Sequence, residues 1–274
     1  MRIALLQMTS GLDPQANAAT MVAGIAEAAA GGAAIIFTPE MSGLIDRDRA
    51  RAKSVILEEA SDAVLAAVCK AAADYEIWVC IGSLAVDAGR EDGKFANRSF
   101  VVDGRGTIVA RYDKMHLFDV DLPTGESWRE SSAYIWGEQA VVADTPVGKL
   151  GLSICYDLRF PALYAALSDA GATVLAIPAA FTVPTGKAHW HVLMRARAIE
   201  NAAFVVAAAQ TGHHADGRET YGHSLVVGPW GDVLLDMGIV PGVGFCEIDT
   251  AQGEDVRARI PVIAHRRRIP AVVR

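Results

Sequence analysis

The chain has 274 residues, of which 52% are hydrophobic and 21% charged, and its 25 Lys and Arg against 32 Asp and Glu give a net charge of −7 with neutral histidines. This apolar fraction excludes a disordered chain and is enough to form a sizeable core. The acidic balance argues against nucleic acid as the main partner, because proteins that follow a phosphate backbone carry a basic surplus.

Short β-rich runs alternate with alanine-rich helical stretches along the chain. In order, the pattern predicts strand Arg2–Met8, helix Asn17–Ala30, strand Ala33–Phe37, helix Asp62–Asp74, strand Ile77–Leu84, a hairpin of Phe95–Val102 and Thr107–Tyr112, strand Lys149–Ile154, helix Pro161–Asp169, strand Thr173–Ile177, helix His189–Asn201, strand Phe204–Ala209, a hairpin over Ser224–Leu235 and a strand near Gly244–Ile248. This alternation predicts an α/β protein with mixed sheets. Because no linker or change of composition divides the chain, we expect a single domain over residues 1–274.

The amino terminus and the cysteines predict a soluble, cytoplasmic protein. Only four apolar residues precede Gln7 after Arg2, whereas a secretory signal needs roughly 7–15 and a membrane helix ~18. The cysteines show no CxxC spacing, which favours a reducing compartment; they are Cys69, Cys80, Cys155 and Cys246. The basic segment Arg257–Arg274 is interpreted as a solvated tail or subunit contact, in preference to a nucleic-acid patch.

Cys155 lies where an apolar strand ends, six residues before a helix that begins with Pro161. A nucleophile at a strand-to-helix turn is exposed at the carboxyl edge of the sheet, where open α/β folds bind ligands. Most free cysteines are small buried hydrophobic residues, and this alternative suits Cys69 and Cys80. It suits Cys155 poorly, because the polar run Tyr-Asp-Leu-Arg follows it directly.

Glu40 and Lys114 also follow predicted strands. Pro39 keeps the residue before it out of the helical conformation, which places Glu40 just past a strand end, and Lys114 ends the second strand of the first hairpin. One such charge alone is most often solvated surface. Together with Cys155, however, these residues stand at the ends of three strands, and strand ends converge in space.

These three residues lie in motifs that resemble the Glu-Lys-Cys triad of the nitrilase superfamily, the carbon–nitrogen hydrolases. Glu40 lies in Phe-Thr-Pro-Glu, Lys114 in Tyr-Asp-Lys-Met-His-Leu-Phe-Asp and Cys155 in Ile-Cys-Tyr-Asp-Leu-Arg-Phe-Pro. The resemblance extends over nearly the whole chain and includes Thr-Gly-Lys-Ala-His-Trp from Thr185 and Tyr-Gly-His-Ser from Tyr221. It implies a four-layer α-β-β-α sandwich that assembles as a homodimer or larger homo-oligomer, with no metal or organic cofactor.

The resemblance also implies a mechanism that agrees with elementary chemistry. A thiol with a pKa of about 8.5 needs a neighbouring base to become a nucleophile near neutrality, and Glu40 would be that base. The Lys114 ammonium and the backbone N–H of Tyr156 would hold the oxyanion. Attack on an amide would then form a thioester on Cys155, which water would hydrolyse.

Glu130 resembles the second glutamate of the superfamily, which orients the lysine. The motif around it departs from the usual pattern, since Asp-Leu-Pro-Thr-Gly from Asp121 replaces Asp-Ile-Pro-Gly, and Glu126 is a competing candidate. An exposed loop carboxylate is the alternative interpretation for Glu130.

Three further residues are expected near the substrate. Arg159, four residues after the nucleophile, is interpreted as binding a substrate carboxylate or as pairing with Asp157 or another acid. Phe181 and Thr182 lie in a loop that lines the substrate site in the superfamily. The family's Pro-Ser-Ala-Phe-Thr is Pro-Ala-Ala-Phe-Thr here, so any hydroxyl supplied at Ala179 is missing.

The histidines do not predict a metal site. Residues at i and i+2 of a helix point about 200° apart, so His189 and His191 cannot share an ion. His213 and His214 are adjacent in an extended loop and face opposite sides.

The motifs most resemble the branch of the superfamily that hydrolyses deaminated glutathione to 2-oxoglutarate and cysteinylglycine. An ω-amidase acting on 2-oxoglutaramate or 2-oxosuccinamate is the nearest alternative, followed by another amide, carbamoyl or nitrile hydrolase. All of these use a small-molecule substrate. An oligomeric interaction protein without catalysis is the alternative from a different class, and the intact triad argues against it.

Overall fold

The computed structural model describes residues 1–121, 125 and 127–273. Its helices are α1 (Pro14–Ala30), α2 (Arg49–Lys53), α3 (Ala63–Asp74), α4 (Pro161–Asp169), α5 (Val183–Asn201) and α6 (Thr250–Arg259). Its strands are β1 (Arg2–Gln7), β2 (Ile35–Phe37), β3 (Trp78–Asp87), β4 (Phe95–Val102), β5 (Ile108–Asp113), β6 (Asp119–Asp121), β7 (Ser127–Arg129), β8 (Tyr134–Ile135), β9 (Val142–Thr145), β10 (Gly148–Leu152), β11 (Val174–Ala176), β12 (Phe204–Ala207), β13 (Thr211–His213), β14 (Glu219–Tyr221), β15 (Leu225–Val227), β16 (Val233–Asp236) and β17 (Gly242–Glu247).

Two mixed sheets form the centre of the molecule. The first has the order β17-β1-β2-β3-β4-β5, with β8 beside β4, and the second has the order β16-β15-β12-β11-β10-β9. In each sheet three central strands run parallel, β1-β2-β3 in one and β10-β11-β12 in the other, and antiparallel strands flank them. The predicted mixed α/β architecture is confirmed.

The sheets pack face to face between two layers of helices. Along β1, Ile3 and Leu5 belong to the core cluster that includes the second sheet, whereas Ala4 and Leu6 pack with residues of α1 and α3. On the other side, α4 and α5 cover β10, β12 and β15. A strand buried on both faces requires a continuously apolar sequence, as these central strands have. The four-layer α-β-β-α sandwich is confirmed.

Several element boundaries differ from the sequence prediction. Helix α1 begins at Pro14, where the Asp13 side chain accepts a hydrogen bond from the Gln15 N–H, and α5 begins at Val183, six residues before its predicted start. Proline is tolerated in the first turn of a helix, so its presence in α5 does not end the helix. Glycine is required at position 186 inside α5, because a Cβ there would lie 2.2 Å from the Tyr221 ring.

The basic carboxyl-terminal segment packs against the second helical layer. Arg257 donates to the backbone carbonyls of Ala172 and Ala202, and Arg266 donates to Asp169 and to the Asn201 side chain. The segment is therefore not simply a solvated tail. Within the described ranges, no helix is both long and apolar enough to cross a membrane.

Candidate active site

Glu40 lies three residues after β2, buried where the two sheets meet. Its Oε2 accepts a hydrogen bond of 2.8 Å from the backbone N–H of Ala180, which follows β11 in the other sheet. Its Oε1 accepts from Lys114 Nζ at 2.8 Å and from Asn97 Nδ2 at 3.0 Å. The next residue, Met41, has a φ of +56°, a strained value for a non-glycine residue of the kind found at functional sites.

Lys114 follows β5 and is only 2% exposed. Its Nζ lies 2.8 Å from Glu40 Oε1 and 3.0 and 2.9 Å from the two carboxylate oxygens of Glu130. Burial lowers the pKa of the Lys114 ammonium, but the charges of Glu130 and Glu40 outweigh burial and raise its pKa well above the usual value. Lys114 is therefore a buried cation held by two carboxylates.

Cys155 begins the 3-10 turn Cys155–Arg159 directly beyond β10, with a φ of +50°. Its N–H donates to the Pro178 carbonyl at 2.8 Å, which ties the turn to the end of β11. Burial and then the negative charge of Glu40 raise the pKa of the Cys155 thiol well above its usual value. For Glu40, burial raises the pKa, but Lys114 outweighs it and the net shift is downward. The thiol is thus protonated at rest, beside an ionised carboxylate.

Glu130 stands opposite Glu40 across the lysine. It begins the 3-10 turn after β7, and its Oε2 accepts the backbone N–H of Phe118 at 2.6 Å. The structure therefore places Glu130 on the lysine, as the resemblance implies. The competing candidate Glu126 lies outside the described residues.

Asn97 was not identified from the sequence. Its Nδ2 donates to Glu40 at 3.0 Å and to Glu130 at 3.2 Å, so the amide joins the two carboxylates that hold Lys114. Its buried Oδ1 has no hydrogen-bond partner in the described part of the chain. Asn97 lies in the middle of β4, and no local pattern distinguishes it from a strand residue that faces inward.

Asp157 connects the nucleophile's turn to the segment that carries the lysine. Its buried carboxylate accepts from the Ile154 N–H at 2.9 Å, the Tyr112 hydroxyl at 2.7 Å and the His116 N–H at 2.9 Å, and the His116 ring Nδ1 lies 2.7 Å away. Tyr112 and His116 flank Lys114 in sequence. These bonds fix the two segments relative to each other and occupy Asp157, so the predicted alternative of an Arg159–Asp157 pair is wrong.

One cavity of about 450 Å³ brings the predicted residues together. Its lining includes Glu40, Lys114, Glu130, Cys155, Tyr156, Phe181 and Thr182. This volume lies within the range of small-molecule sites, roughly 300–1,000 Å³. Outside its own turn, the backbone N–H of Tyr156 has no backbone acceptor among the described residues, which leaves that donor available for a ligand.

Arg159 does not line this cavity. Its guanidinium lies over the rings of Tyr156 and Phe181, 5.9 and 5.6 Å from their centroids, and 3.2 Å from His189 Nδ1. It therefore contacts two residues that do line the cavity.

The histidines also form an arrangement that the sequence did not predict. His191 on α5 and His223 before β15 both contact the Asp236 carboxylate at 2.9 Å, and the three side chains have potential ligand atoms within 4.8 Å of one another. Both oxygens of Asp236 are thereby engaged by imidazoles. His214 is buried and separately bonded to Ser10 O and the Thr220 hydroxyl, at 2.8 Å each.

Comparison with known proteins identifies relatives over the whole chain. A "Deaminated glutathione amidase" of Yersinia enterocolitica is 37% identical over 272 residues, which cover 99% of this chain and 94% of that protein. The crystal structure of the C. elegans NitFhit protein is similar with a TM-score of 0.91 and 38% identity, covering 97% of this chain and 65% of that one. An amidase from Nesterenkonia sp. AN1, solved with acrylamide added at its active-site cysteine, is 29% identical, with a TM-score of 0.79 and coverage of 95% of this chain and 98% of that one.

The match at the level of families agrees with the geometry of the cavity. Carbon-nitrogen hydrolases share a sequence profile that matches residues 2–258 of this chain. Within that span lie a buried lysine between two carboxylates and a thiol at a strained strand-to-helix turn. The chain belongs to the carbon-nitrogen hydrolase family.

Proposed function

We propose that this protein is a cysteine-dependent amidase that hydrolyses deaminated glutathione to 2-oxoglutarate and cysteinylglycine. The observation that carries the chemistry is the Lys114 ammonium held by Glu40 and Glu130 in the cavity that Cys155 also lines. The similarity to the Yersinia enterocolitica amidase supports the choice of substrate.

The first half of the reaction forms a thioester. Glu40 takes the proton of the Cys155 thiol as sulfur attacks the amide carbonyl carbon, and the carbonyl oxygen becomes an oxyanion. The Lys114 ammonium and the Tyr156 N–H stabilise this oxyanion. When the C–N bond breaks, Glu40 returns the proton to the leaving nitrogen, and cysteinylglycine departs as an amine.

The second half hydrolyses the thioester. Glu40 removes a proton from a water molecule that attacks the acyl carbon, and the Lys114 ammonium again faces the oxyanion. The C–S bond then breaks, sulfur regains a proton from Glu40, and 2-oxoglutarate leaves. Glu130 contacts Lys114 and Asn97 contacts Glu40, so their role is to position these groups. Phe181 and Thr182 contact the substrate as part of the cavity wall.

We further propose one catalytic domain over residues 1–274, in a cytoplasmic homodimer or larger homo-oligomer. The family match over residues 2–258 supports a single domain. Exposed apolar side chains support an assembly: Val192 and Ile199 on α5 are 69% and 49% exposed, and Trp230 in the β15–β16 turn is 55% exposed. Ile199 packs close to Gly231, so the turn and the helix form one surface.

Hydrolysis rates on two amides test the proposed substrate. We expect a higher kcat/KM for deaminated glutathione than for 2-oxoglutaramate, because the similarity to the Yersinia enterocolitica amidase favours the first substrate. Release of 2-oxoglutarate is measured with the purified chain, and Cys155→Ala is the blank. The reverse preference would make the protein an ω-amidase. If neither amide is hydrolysed in a Cys155-dependent way, both proposed substrates are contradicted.

Alkylation with iodoacetamide tests the roles of Glu40 and Cys155 separately. The negative charge of Glu40 raises the pKa of the Cys155 thiol, whereas Lys114 lowers it. Glu40→Gln removes the first effect and keeps the second, so the midpoint of alkylation against pH should move downward. Amide hydrolysis should nevertheless fall, by roughly 10²–10⁴-fold, because the group that moves protons is lost. An upward shift of the midpoint would contradict this arrangement.

The other cysteines are internal controls for the same experiment. Burial raises the pKa of Cys69 and Cys246, and raises that of the fully buried Cys80 to about 12. None of these three lines the cavity. Cys155 should be labelled first although its own pKa is raised, because among these four cysteines it is the one that lines the cavity, beside the base Glu40, as mass spectrometry of peptides would show. Uniformly slow labelling of all four would favour the alternative of an interaction protein without catalysis.

A further inference from the structure

The wall of the active-site cavity carries an unusual concentration of arginine. The protein as a whole has a net charge of −7, yet four arginines among the described residues line this one cavity: Arg47, Arg49, Arg129 and Arg218. A cleft lined by one sign of charge raises the local concentration of ligands of the opposite sign. The arginines therefore offer binding groups for an anionic substrate, provided that their charge is not already used by the acidic side chains of the same wall.

The four acidic side chains of the same wall form no ion pair with these arginines in the described part of the chain. Each of them already has a cationic or histidine neighbour. The pairs are Glu40 and Glu130 with Lys114, Asp46 with Arg51 at 2.6 Å, and Glu219 with His213 at 3.5 Å. The hydrogen bond from Arg51 holds the pKa of Asp46 below its usual value, so Asp46 is an ionised carboxylate that is already paired with Arg51.

Three of the four arginines are also engaged. Arg129 binds Asp121 at 2.9 Å, Arg218 binds Asp216 at 2.8 Å, and Arg49 donates to the Ser132 carbonyl at 3.2 Å. Arg47 differs from them, because its guanidinium has no carboxylate or carbonyl acceptor in the part of the chain that the structure describes. Both acids beside it are occupied: Asp46 holds Arg51, and Asp48 caps helix α2.

The Arg47 guanidinium is nevertheless held in place. It lies 4.8 Å from the ring centroid of Trp128, which also lines the cavity, and the Arg218 guanidinium lies 5.2 Å from the same ring. Contact with an aromatic ring orients a guanidinium and leaves its N–H groups free. A positioned guanidinium with free N–H groups matches a carboxylate, which it binds through two parallel hydrogen bonds.

We propose that Arg47 binds a carboxylate of the substrate and thereby selects anionic amides. This inference rests on the proposed function, since it places the substrate in the cavity of Cys155. The sequence predicted such a role for Arg159, whose guanidinium lies against the rings of Tyr156 and Phe181. Deaminated glutathione offers two carboxylates, one on the keto-acid part and one at the end of the dipeptide, and 2-oxoglutaramate offers only the first.

Kinetics of Arg47→Met on three amides test the inference. We expect kcat/KM for deaminated glutathione to fall by about tenfold to a hundredfold, mainly through KM, because a bidentate ionic contact is lost. The rate on butyramide, which has no carboxylate, should fall far less than the rate on deaminated glutathione. An equal fall for 2-oxoglutaramate assigns Arg47 to the keto-acid carboxylate, whereas a fall for deaminated glutathione alone assigns it to the dipeptide.

Two further variants separate binding from a structural effect. Arg47→Lys should bind the anionic amides better than Arg47→Met does but less well than the unaltered protein, because lysine keeps the charge but lacks the two parallel N–H donors of the guanidinium. Arg105→Met is the matched control, since Arg105 is an exposed arginine in the turn between β4 and β5, outside the cavity. It should behave as the unaltered protein does. Equal losses on butyramide, or no loss on either anionic amide, would overturn the role of Arg47.

Equilibrium binding distinguishes failure of this inference from failure of the proposed function. Deaminated glutathione, 2-oxoglutarate and cysteinylglycine are titrated calorimetrically into Cys155→Ala and into Cys155→Ala with Arg47→Met. Binding of at least one of them that weakens about tenfold or more without Arg47 supports the carboxylate contact, even if the intact protein hydrolyses neither amide. Binding that is the same in both variants, or absent from both, overturns it.

Discussion

Cys155→Ala is expected to abolish amide hydrolysis, with kcat/KM falling by roughly 10⁴-fold or more. The thioester cannot form without the sulfur, and no other cysteine lines the cavity among the described residues. The change removes one atom from a side chain that is 8% exposed, so the fold should persist. Product release measured by liquid chromatography, together with thermal unfolding, checks both halves of this expectation.

Cys246→Ala is the matched control for this variant. Cys246 is buried to a similar extent, at 9% exposed, but it lies in β17 at the far edge of the first sheet. Its replacement removes the same atom and should leave the rate unchanged. If Cys155→Ala kept a tenth of the activity, a thioester on this residue would be ruled out.

Lys114→Met is expected to lower kcat/KM by roughly 10²–10³-fold, because the oxyanion loses one of its two donors. It should also destabilise the protein by about 3–5 kcal/mol, since two buried carboxylates lose their shared cation. Glu40 would then be easier to protonate in the folded state, because burial raises its pKa and Lys114 no longer lowers it. Urea unfolding at several pH values measures this effect.

The pH dependence of that loss has a definite sign. In the unaltered folded protein the pKa of Glu40 is lower than in the unfolded chain. The pairing of Glu40 with Lys114 therefore stabilises the fold at pH values above the unfolded-state pKa, and this contribution is lost as the pH falls. In Lys114→Met the pKa of Glu40 in the folded state should rise above the unfolded value, because burial then acts without Lys114. The penalty should therefore be largest near neutrality and shrink toward acidic pH.

The double variant Lys114→Met with Glu130→Gln separates stability from catalysis. It removes one of the two unpaired carboxylates, so part of the lost stability should return, whereas the activity should not. A single Lys114→Met variant as stable as the unaltered protein would contradict the proposed coupling of the two carboxylates through Lys114.

The order of most elements could be predicted from the sequence, and so could the convergence of Glu40, Lys114 and Cys155 on one cavity. β4 and α4 have the predicted bounds. The signals are local in both cases: a β-rich run for β4 and an initial proline for α4. Glu40, Lys114 and Cys155 follow strands whose apolar patterns are equally local. Residues at the ends of strands in packed sheets converge, so these three could be grouped without knowledge of the contacts.

Tertiary structure alone decided which side chains support and surround those three. Asn97 and Asp157 act through partners far away in sequence, and Arg47 faces the cavity only because a loop brings it against Trp128. Arg159, although near the nucleophile in sequence, is turned onto two aromatic rings. Periodicity specifies which face of an element is buried, but the partner of a polar side chain depends on how separate elements pack, and the local sequence does not encode that.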